Sequence, residues 1–226
     1  AEVPDANVRI IIDGEEFSGT YKPFEFDPSS TANHAGYTFE SAKEKIQPGK
    51  DYKLTINWHG KTAHSIMRIP EQVKIVKATI DSAVTYDYGN FRETLYNPVV
   101  WVQPRNNESY VITYAVRDKQ TLRIIDDNYY FDVIKGANDI DRDGLVELRK
   151  SGFDGLSQEI KNKIGSEYAL IVMVHAFDSK FYEYFATRYN NDNDSPLSEP
   201  NKVQWNVKGD GIGMFTGYST TAIEIK

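Results

Sequence analysis

The stretch that decides the fold is Tyr52-Lys-Leu-Thr-Ile-Asn-Trp58, which has an apolar side chain at every second position. Side chains alternate between the two faces of a β-strand, so this pattern predicts a strand with one buried and one solvated face. The next residues, His59-Gly60-Lys61, predict a tight turn, and residues 62–69 predict the strand that pairs with the first. The stretch therefore indicates a β-hairpin in an antiparallel sheet.

Further strand signals recur along the chain at roughly ten-residue intervals. Val8-Arg-Ile-Ile-Ile12 is a β-branched run that ends in the turn Asp13-Gly14. Ser109-Tyr-Val-Ile-Thr-Tyr-Ala-Val116 predicts another strand, and the apolar run from Tyr168 to His175 predicts a central strand that is buried on both faces. Short strands joined by turns are typical of a β-sandwich, so we expect a mainly β protein.

Two domains are predicted, with the boundary near Pro70. The first, residues 1–72, is expected to be a β-sandwich. The second, residues 73–226, is expected to be a β-rich, sandwich-like domain with one or two short helices.

The stronger helix signal lies at residues 178–189, and a weaker one lies at residues 156–164. Asp178 or Ser179 can cap the first exposed amides of the stronger helix, and three aromatic side chains share one of its faces.

Composition narrows the class of protein. Of the 226 residues 40% are hydrophobic and 13% aromatic, which is enough to bury a core, and 15 Tyr with 11 Phe against 3 Met suit pleated sheets. The net charge is −7 and no basic stripe occurs, so nucleic acid is not an expected partner. No apolar run reaches the roughly 18 residues that a membrane-spanning helix needs.

Cysteine is absent, which excludes disulfides, thiolate metal sites and cysteine nucleophiles. The chain starts Ala1-Glu2-Val3-Pro4-Asp5, without an initiator Met or an apolar leader. We therefore expect a processed or trimmed N-terminus, with any signal peptide or lipid anchor lying outside the sequence.

The sharpest local motif is Asp139-Ile-Asp-Arg-Asp-Gly-Leu-Val-Glu147, in which three carboxylates alternate before a glycine. Such alternation lets the backbone curl so that carboxylate oxygens point inward, as in calcium loops. An EF-hand would need Glu at the twelfth position, where Lys150 stands, so the loop resembles the shorter calcium loops of β proteins. The alternative is a solvated acidic turn. The predicted Ca²⁺ ligands are Asp139, Asp141, Asp143, Leu145 through its carbonyl, and Glu147.

The histidines and glycines give weaker signals. His59 and His64 flank the predicted hairpin and could share a zinc ion, but no third ligand has a recognisable spacing, so both are expected to be ordinary strand or turn residues. His175 is expected to be a satisfied structural residue. Gly209-Asp-Gly-Ile-Gly213 looks like a dinucleotide motif but lacks the helix that must follow it.

Catalytic motifs are missing from the sequence. No nucleophile elbow or phosphate-binding glycine loop occurs, and none of the 33 acidic residues is singled out as a catalytic pair. The sequence therefore predicts a protein that is not an enzyme.

Several segments together resemble one known family. They include Pro4-Asp-Ala-Asn-Val-Arg-Ile-Ile-Ile-Asp-Gly14, Gln47-Pro-Gly-Lys-Asp-Tyr-Lys-Leu-Thr-Ile56, Gly60-Lys-Thr-Ala-His-Ser65, Phe153-Asp-Gly155, Glu199-Pro-Asn-Lys-Val-Gln-Trp-Asn206 and Gly211-Ile-Gly-Met-Phe-Thr-Gly-Tyr-Ser219. The first resembles the opening strand of small sandwich domains related to carboxypeptidase regulatory domains. The whole series is similar to the uncharacterised bacterial lipoproteins known as domain of unknown function 4249.

This resemblance implies a cell-envelope lipoprotein of Bacteroidetes type, anchored in the outer membrane on its surface or periplasmic side. It implies an Ig-like first domain and a β-rich second domain, and supplies no catalytic residues. Proteins of this kind carry a lipidated Cys at the mature N-terminus, which this chain lacks, and accompany outer-membrane TonB-dependent transporters.

The leading functional hypothesis is a non-enzymatic lipoprotein that binds a small-molecule, glycan or peptide ligand, or assists a TonB-dependent nutrient transporter. The second is a structural or adhesive surface protein that pairs through an exposed strand edge. The third is a glycan-active hydrolase, which would require a pocket with two facing carboxylates.

Overall fold

The computed structural model describes residues 3–23, 35–87, 92–106, 108–128, 135–136, 138–149, 158–191 and 203–225. These residues are mainly in antiparallel sheets, which confirms the predicted mainly β, sandwich-type fold. The strands are β1 (Asn7–Ile12), β2 (Glu15–Ser18), β3 (Thr20–Pro23), β4 (Ala35–Thr38), β5 (Asp51–Trp58), β6 (Lys61–Arg68), β7 (Ile75–Asp87), β8 (Arg92–Val102), β9 (Glu108–Asp118), β10 (Ile124–Asn128), β11 (Lys135–Gly136), β12 (Val146–Arg149), β13 (Tyr168–Asp178), β14 (Lys208–Gly209) and β15 (Tyr218–Ile225).

The described residues contain two α-helices, α1 (Gln158–Lys163) and α2 (Ser179–Asn191), and a short 3₁₀ helix (Glu40–Lys45). The predicted stronger helix corresponds to α2. Its cap is Asp178, whose carboxylate accepts the amides of Lys180 (2.9 Å) and Phe181 (3.2 Å). No described helix has the length and hydropathy needed to cross a bilayer.

The predicted hairpin is formed by β5 and β6, with Trp58 opposite Lys61. The turn residues His59 (φ 46°) and Gly60 (φ 78°) both have positive φ, which is the backbone of a type I′ turn. Such turns match the right-handed twist of the strands, so the hairpin forms with an uninterrupted register from Asp51–Arg68 to Trp58–Lys61.

The chain divides into two compact units. Unit 1 comprises residues 1–70 and 183–217, and unit 2 comprises residues 71–182 and 218–226. The first break lies close to Pro70, but residues 183–217 belong to unit 1 and not, as the sequence suggested, to the second domain. They join it through β14, a two-residue strand on the edge of β6, which is too short to leave a periodic pattern in the sequence.

Unit 1 is built on a sheet with the strand order β14-β6-β5-β1-β2, and β3 and β4 form a separate pair. All its pairings are antiparallel. The buried core lies on one face of the large sheet, toward the end of β5 that contains Tyr52. It consists of Ile10, Ile12, Phe17, Ala42, Tyr52, Met67 and Ile69, with Phe39, Leu54 and Phe215 packed against it.

Unit 2 contains a sheet ordered β10-β9-β13-β15, with β11 also on β9, and a sheet ordered β12-β8-β7. Strand β13 lies between β9 and β15 and is largely buried along its length, as predicted for a central strand. Both sheets contribute to one core, which is the arrangement of a sandwich. Its buried members are Val73, Val100, Val102, Tyr110, Ile112, Tyr114, Val116, Val146, Leu148, Leu170, Val172, Val174, Ala176 and Ile225.

Candidate functional site

Unit 1 contains an apolar groove on the same sheet face as its core. Directly opposed residues of antiparallel strands share a face, so the pairs Ile56–Ala63 and Trp58–Lys61 place these side chains together. The core cluster fills the other end of this face, around Tyr52 and Met67. The groove is therefore the part of the sheet face that the core cluster does not fill.

The opposite wall of the groove comes from residues 207–214. The Asp210 amide donates to the Thr62 carbonyl (2.7 Å), and the Thr62 amide donates to the Asp210 carboxylate (2.8 Å). Gly209 has φ +103°, and a Cβ there would lie 2.4 Å from the Thr62 carbonyl oxygen. Glycine thus permits a backbone approach that holds this segment against β6.

The groove has a volume of about 380 Å³. Small-molecule sites span roughly 300–1,000 Å³ and are mostly apolar with a few polar groups, so the groove falls at the small end of that range. Its charged lining residues are Lys61 and Asp210. The lining residues are Val3, Leu54, Ile56, Trp58, Lys61, Thr62, Ala63, Val207, Asp210, Gly211, Ile212, Gly213 and Met214.

Hydrogen bonds fix Trp58 at the turn end of the groove. Its indole N–H donates to one carboxylate oxygen of Asp5 (2.9 Å), and the other Asp5 oxygen lies 3.0 Å from His59 Nε2. The Trp58 hydrogen bond, with a smaller contribution from His59, lowers the pKa of Asp5. The indole ring of Trp58 is consequently held in one orientation at this end of the groove.

The acidic loop of unit 2 lies between β11 and β12. Its carboxylate and carbonyl oxygens accept hydrogen bonds from backbone amides of the same segment. One Asp141 carboxylate oxygen accepts the amides of Asp143 and Leu145, both at 2.9 Å. The Leu145 carbonyl accepts the Asp141 amide (2.7 Å). Asp139 accepts the Gly136 amide (2.7 Å). These hydrogen bonds stabilise the turn without a metal ion. A bound ion would have to share the Asp139 and Asp141 carboxylates with the amides that they already accept.

The remaining predicted ligand, Glu147, lies on β12 opposite Trp101 and forms an ion pair with Arg149 (3.3 Å). Within the described ranges, no three carboxylate or imidazole groups come together in a metal-binding arrangement. Calcium binding by the loop stays a prediction, and the Asp143 carboxylate is the ligand with no hydrogen bond to another described residue.

A polar depression of about 470 Å³ lies beside the acidic loop in unit 2. It contains two carboxylates, two amides, a hydroxyl and a phenol ring. Glu108, one of the carboxylates, accepts the hydroxyl hydrogen of Tyr110 (2.8 Å). The depression is lined by Asn106, Glu108, Gly136, Asn138, Asp139, Ser179 and Tyr182.

The three histidines that the structure describes lie in strands or in a turn. His175 lies in β13, and its two ring nitrogens contact the hydroxyls of Thr113 (2.8 Å) and Thr220 (2.9 Å) on the strands to either side. Burial lowers the pKa of His175 because the charged form loses hydration. His64 lies in β6 opposite Thr55, whereas His59 is in the turn.

Sequence reasoning did not identify the groove. Its far wall comes from a segment about 150 residues after the hairpin, and no local pattern encodes such a contact. One signal was present: glycines at 209, 211 and 213 alternate, as they do where a backbone approaches a neighbouring strand closely. The segment contains β14 and is not followed by a helix before β15, which agrees with rejecting a dinucleotide motif.

Comparisons with known proteins give one match. No curated protein and no solved structure matches the chain. A family model described as "Domain of unknown function (DUF4249)" matches residues 1–224, which is nearly the full length. The chain therefore belongs to the DUF4249 family.

Proposed function

We propose that the protein is a non-enzymatic binding protein of the bacterial cell envelope, and that the groove of unit 1 is its ligand-binding site. The observation that carries this proposal is the groove itself: mostly apolar side chains line a preformed space beside the core cluster of unit 1. A space of this size suits a small apolar ligand or one apolar side chain of a partner protein.

The envelope location rests on the resemblance to lipoproteins that accompany TonB-dependent transporters. In this proposal a lipid anchor holds the protein at the outer membrane. The groove then either holds a nutrient for the transporter or receives a segment of the transporter. In both cases binding depends on apolar contact with the residues of β5 and of the 207–214 segment.

A neutral, environment-sensitive apolar dye such as Nile red tests the groove. We expect saturable binding with increased fluorescence, which Ile56→Trp weakens by at least about tenfold because the larger ring fills the groove. Ile66→Trp is the matched control, since Ile66 is 64% exposed and lies on the other face of the same hairpin.

The melting temperature of each variant shows whether unit 1 is still folded. Equal dye affinity in the wild type and a folded Ile56→Trp variant would place the dye elsewhere and reject the groove as its site. Loss of binding in both tryptophan variants would also argue against it.

A glycan-active hydrolase remains a second candidate because Glu108 and Asp139 line the same depression in unit 2. Two carboxylates around one depression are what acid-catalysed glycoside hydrolysis needs. Release of nitrophenol from a panel of aryl glycosides would test this role. Activity that Glu108→Gln abolishes supports the hydrolase, and an inactive wild type across the panel counts against it.

A further inference from the structure

We propose that the ligand of the groove is a free, single-chain amphiphile with a carboxylate head, and that Lys61 binds this head. The inference rests on the proposed function of the groove and adds the chemical class of the ligand. It follows from the distribution of charge around an otherwise apolar space.

The acidic groups at the turn end of the groove already have hydrogen-bond donors. Asp5 accepts from the Trp58 indole and lies 3.0 Å from the His59 imidazole. Asp210 accepts the Thr62 amide, which helps to hold the far wall in place. Both carboxylates are therefore engaged in maintaining the structure of the groove.

Lys61 is the charged lining residue that has no such role. Its ammonium group forms no ion pair or hydrogen bond with any residue that the structure describes. The cross-strand pairing places Lys61 opposite Trp58, at the edge of the apolar surface formed by Ile56 and Ala63. A carboxylate at Lys61 would thus leave the attached apolar chain against the floor of the groove.

The volume of the groove limits the size of the ligand that it can hold. About 380 Å³ is at the lower end of small-molecule sites, so it suits one short aliphatic chain and not the two chains of a phospholipid. The lining has apolar side chains from both walls, which would contact such a chain along its length.

A matched series of eight-carbon ligands separates the head group from the chain. Octanoate, octanol and octylamine are titrated calorimetrically at pH 7.5 and one ionic strength, below their aggregation limits. We expect octanoate to bind about two- to fivefold more tightly than octanol, since an exposed ion pair contributes little, and octylamine to bind most weakly. Raising the salt concentration should reduce the preference for octanoate.

Lys61→Gln should weaken octanoate binding by about the same two- to fivefold and so remove its preference over octanol. Lys53→Gln is the control, because Lys53 is an exposed lysine on the outward face of β5 and should not alter either affinity. A preference for octanoate that survives in folded Lys61→Gln overturns the inference.

The remaining outcomes also decide between the two proposals. Equal binding of octanoate and octanol by the wild type retains the groove and rejects the role of Lys61. Tightest binding of octylamine rejects that role in favour of Asp210. Failure of all three ligands to bind rejects both the groove as a ligand site and the carboxylate inference. Lys61-dependent binding to anionic phospholipid vesicles without octanoate binding would reassign Lys61 to a lipid surface.

Discussion

Gly209 and Thr62 lie so close that a Cβ on the glycine would be 2.4 Å from the Thr62 carbonyl oxygen. The contact joins two segments that are far apart in the sequence and holds one wall of the groove against β6. Because Gly209 also has φ +103°, a side chain there would be strained by its backbone as well as by its neighbour.

Gly209→Ala should lower the free energy of unfolding of unit 1 by about 2 kcal/mol or more, from left-handed strain and steric overlap together. Gly14→Ala is the control, because Gly14 has φ +84° and a Cβ added there would have no atom within 4 Å. It should lose only about 1 kcal/mol. Scanning calorimetry measures both, and equal losses would show that the contact with Thr62 relaxes freely.

The buried His175 predicts a pH dependence of stability. Burial lowers its pKa below the ordinary value of 6.5, so between the two values the unfolded chain binds more protons than the folded chain. The free energy of unfolding should therefore decrease as the pH falls from 7.5 through 6.5 and level off below the folded pKa.

His175→Gln should flatten this part of the stability curve, with the exposed His64→Gln as the control for loss of one imidazole. Melting temperatures between pH 5 and 7.5 measure the effect. An NMR titration of the wild-type imidazole provides a second measurement if the variant does not fold, and a midpoint at or above 6.5 would contradict the prediction.

The acidic loop is predicted to bind calcium. Two variants distinguish a loss of calcium binding from a loss of loop stability. Asp141→Ala removes two hydrogen bonds from the turn and should destabilise unit 2 by about 1–3 kcal/mol even without metal. Asp143→Asn removes a carboxylate that makes no hydrogen bond to another described residue, so it should leave the metal-free stability unchanged.

If the loop binds calcium, Asp143→Asn should weaken calcium binding at least about tenfold in isothermal titration of chelator-treated protein. The increase in melting temperature on adding calcium should shrink in parallel. Absence of heat and of any thermal shift in the wild type would identify the loop as a solvated turn.

The hydroxyl group of Tyr110 is expected to contribute to the free energy of unfolding. The hydroxyl donates to Glu108 (2.8 Å) and accepts the Arg105 amide (2.8 Å), while burial raises the pKa of Tyr110. Tyr110→Phe should lower the free energy of unfolding by about 1–2 kcal/mol because both partners lose a bond. Tyr218→Phe, at a residue that is 56% exposed, should have little effect in the same denaturation experiment.

The sequence predicted those parts of the fold that local periodicity determines. Alternation in Tyr52–Trp58 located β5, and the apolar run after Tyr168 located β13 as a central strand. The carboxylate at Asp178 marked the start of α2. In each case the signal lies within about ten neighbouring residues, which is the range over which strand and helix patterns are expressed.

The return of residues 183–217 to unit 1 could not be predicted in this way. Its pairing with β6 involves only Lys208 and Gly209, and the hydrogen bonds at Asp210 depend on Thr62, which is remote in sequence. The groove is lined both by β5 and β6 and by residues 207–214, so neither segment alone contains a pattern that predicts it. The acidic motif was visible, but whether oxygen atoms converge on an ion depends on geometry that spacing alone does not determine.

The chain passes between the units after residues 70, 182 and 217, so each unit is built from two separate parts of the sequence. During synthesis, β6 is made long before the segment that pairs with its edge. Unit 2, in turn, needs β15, which follows that segment. Neither unit can complete its sheets until β14 or β15 has been made, so both units depend on strand pairings between residues that are far apart in the sequence.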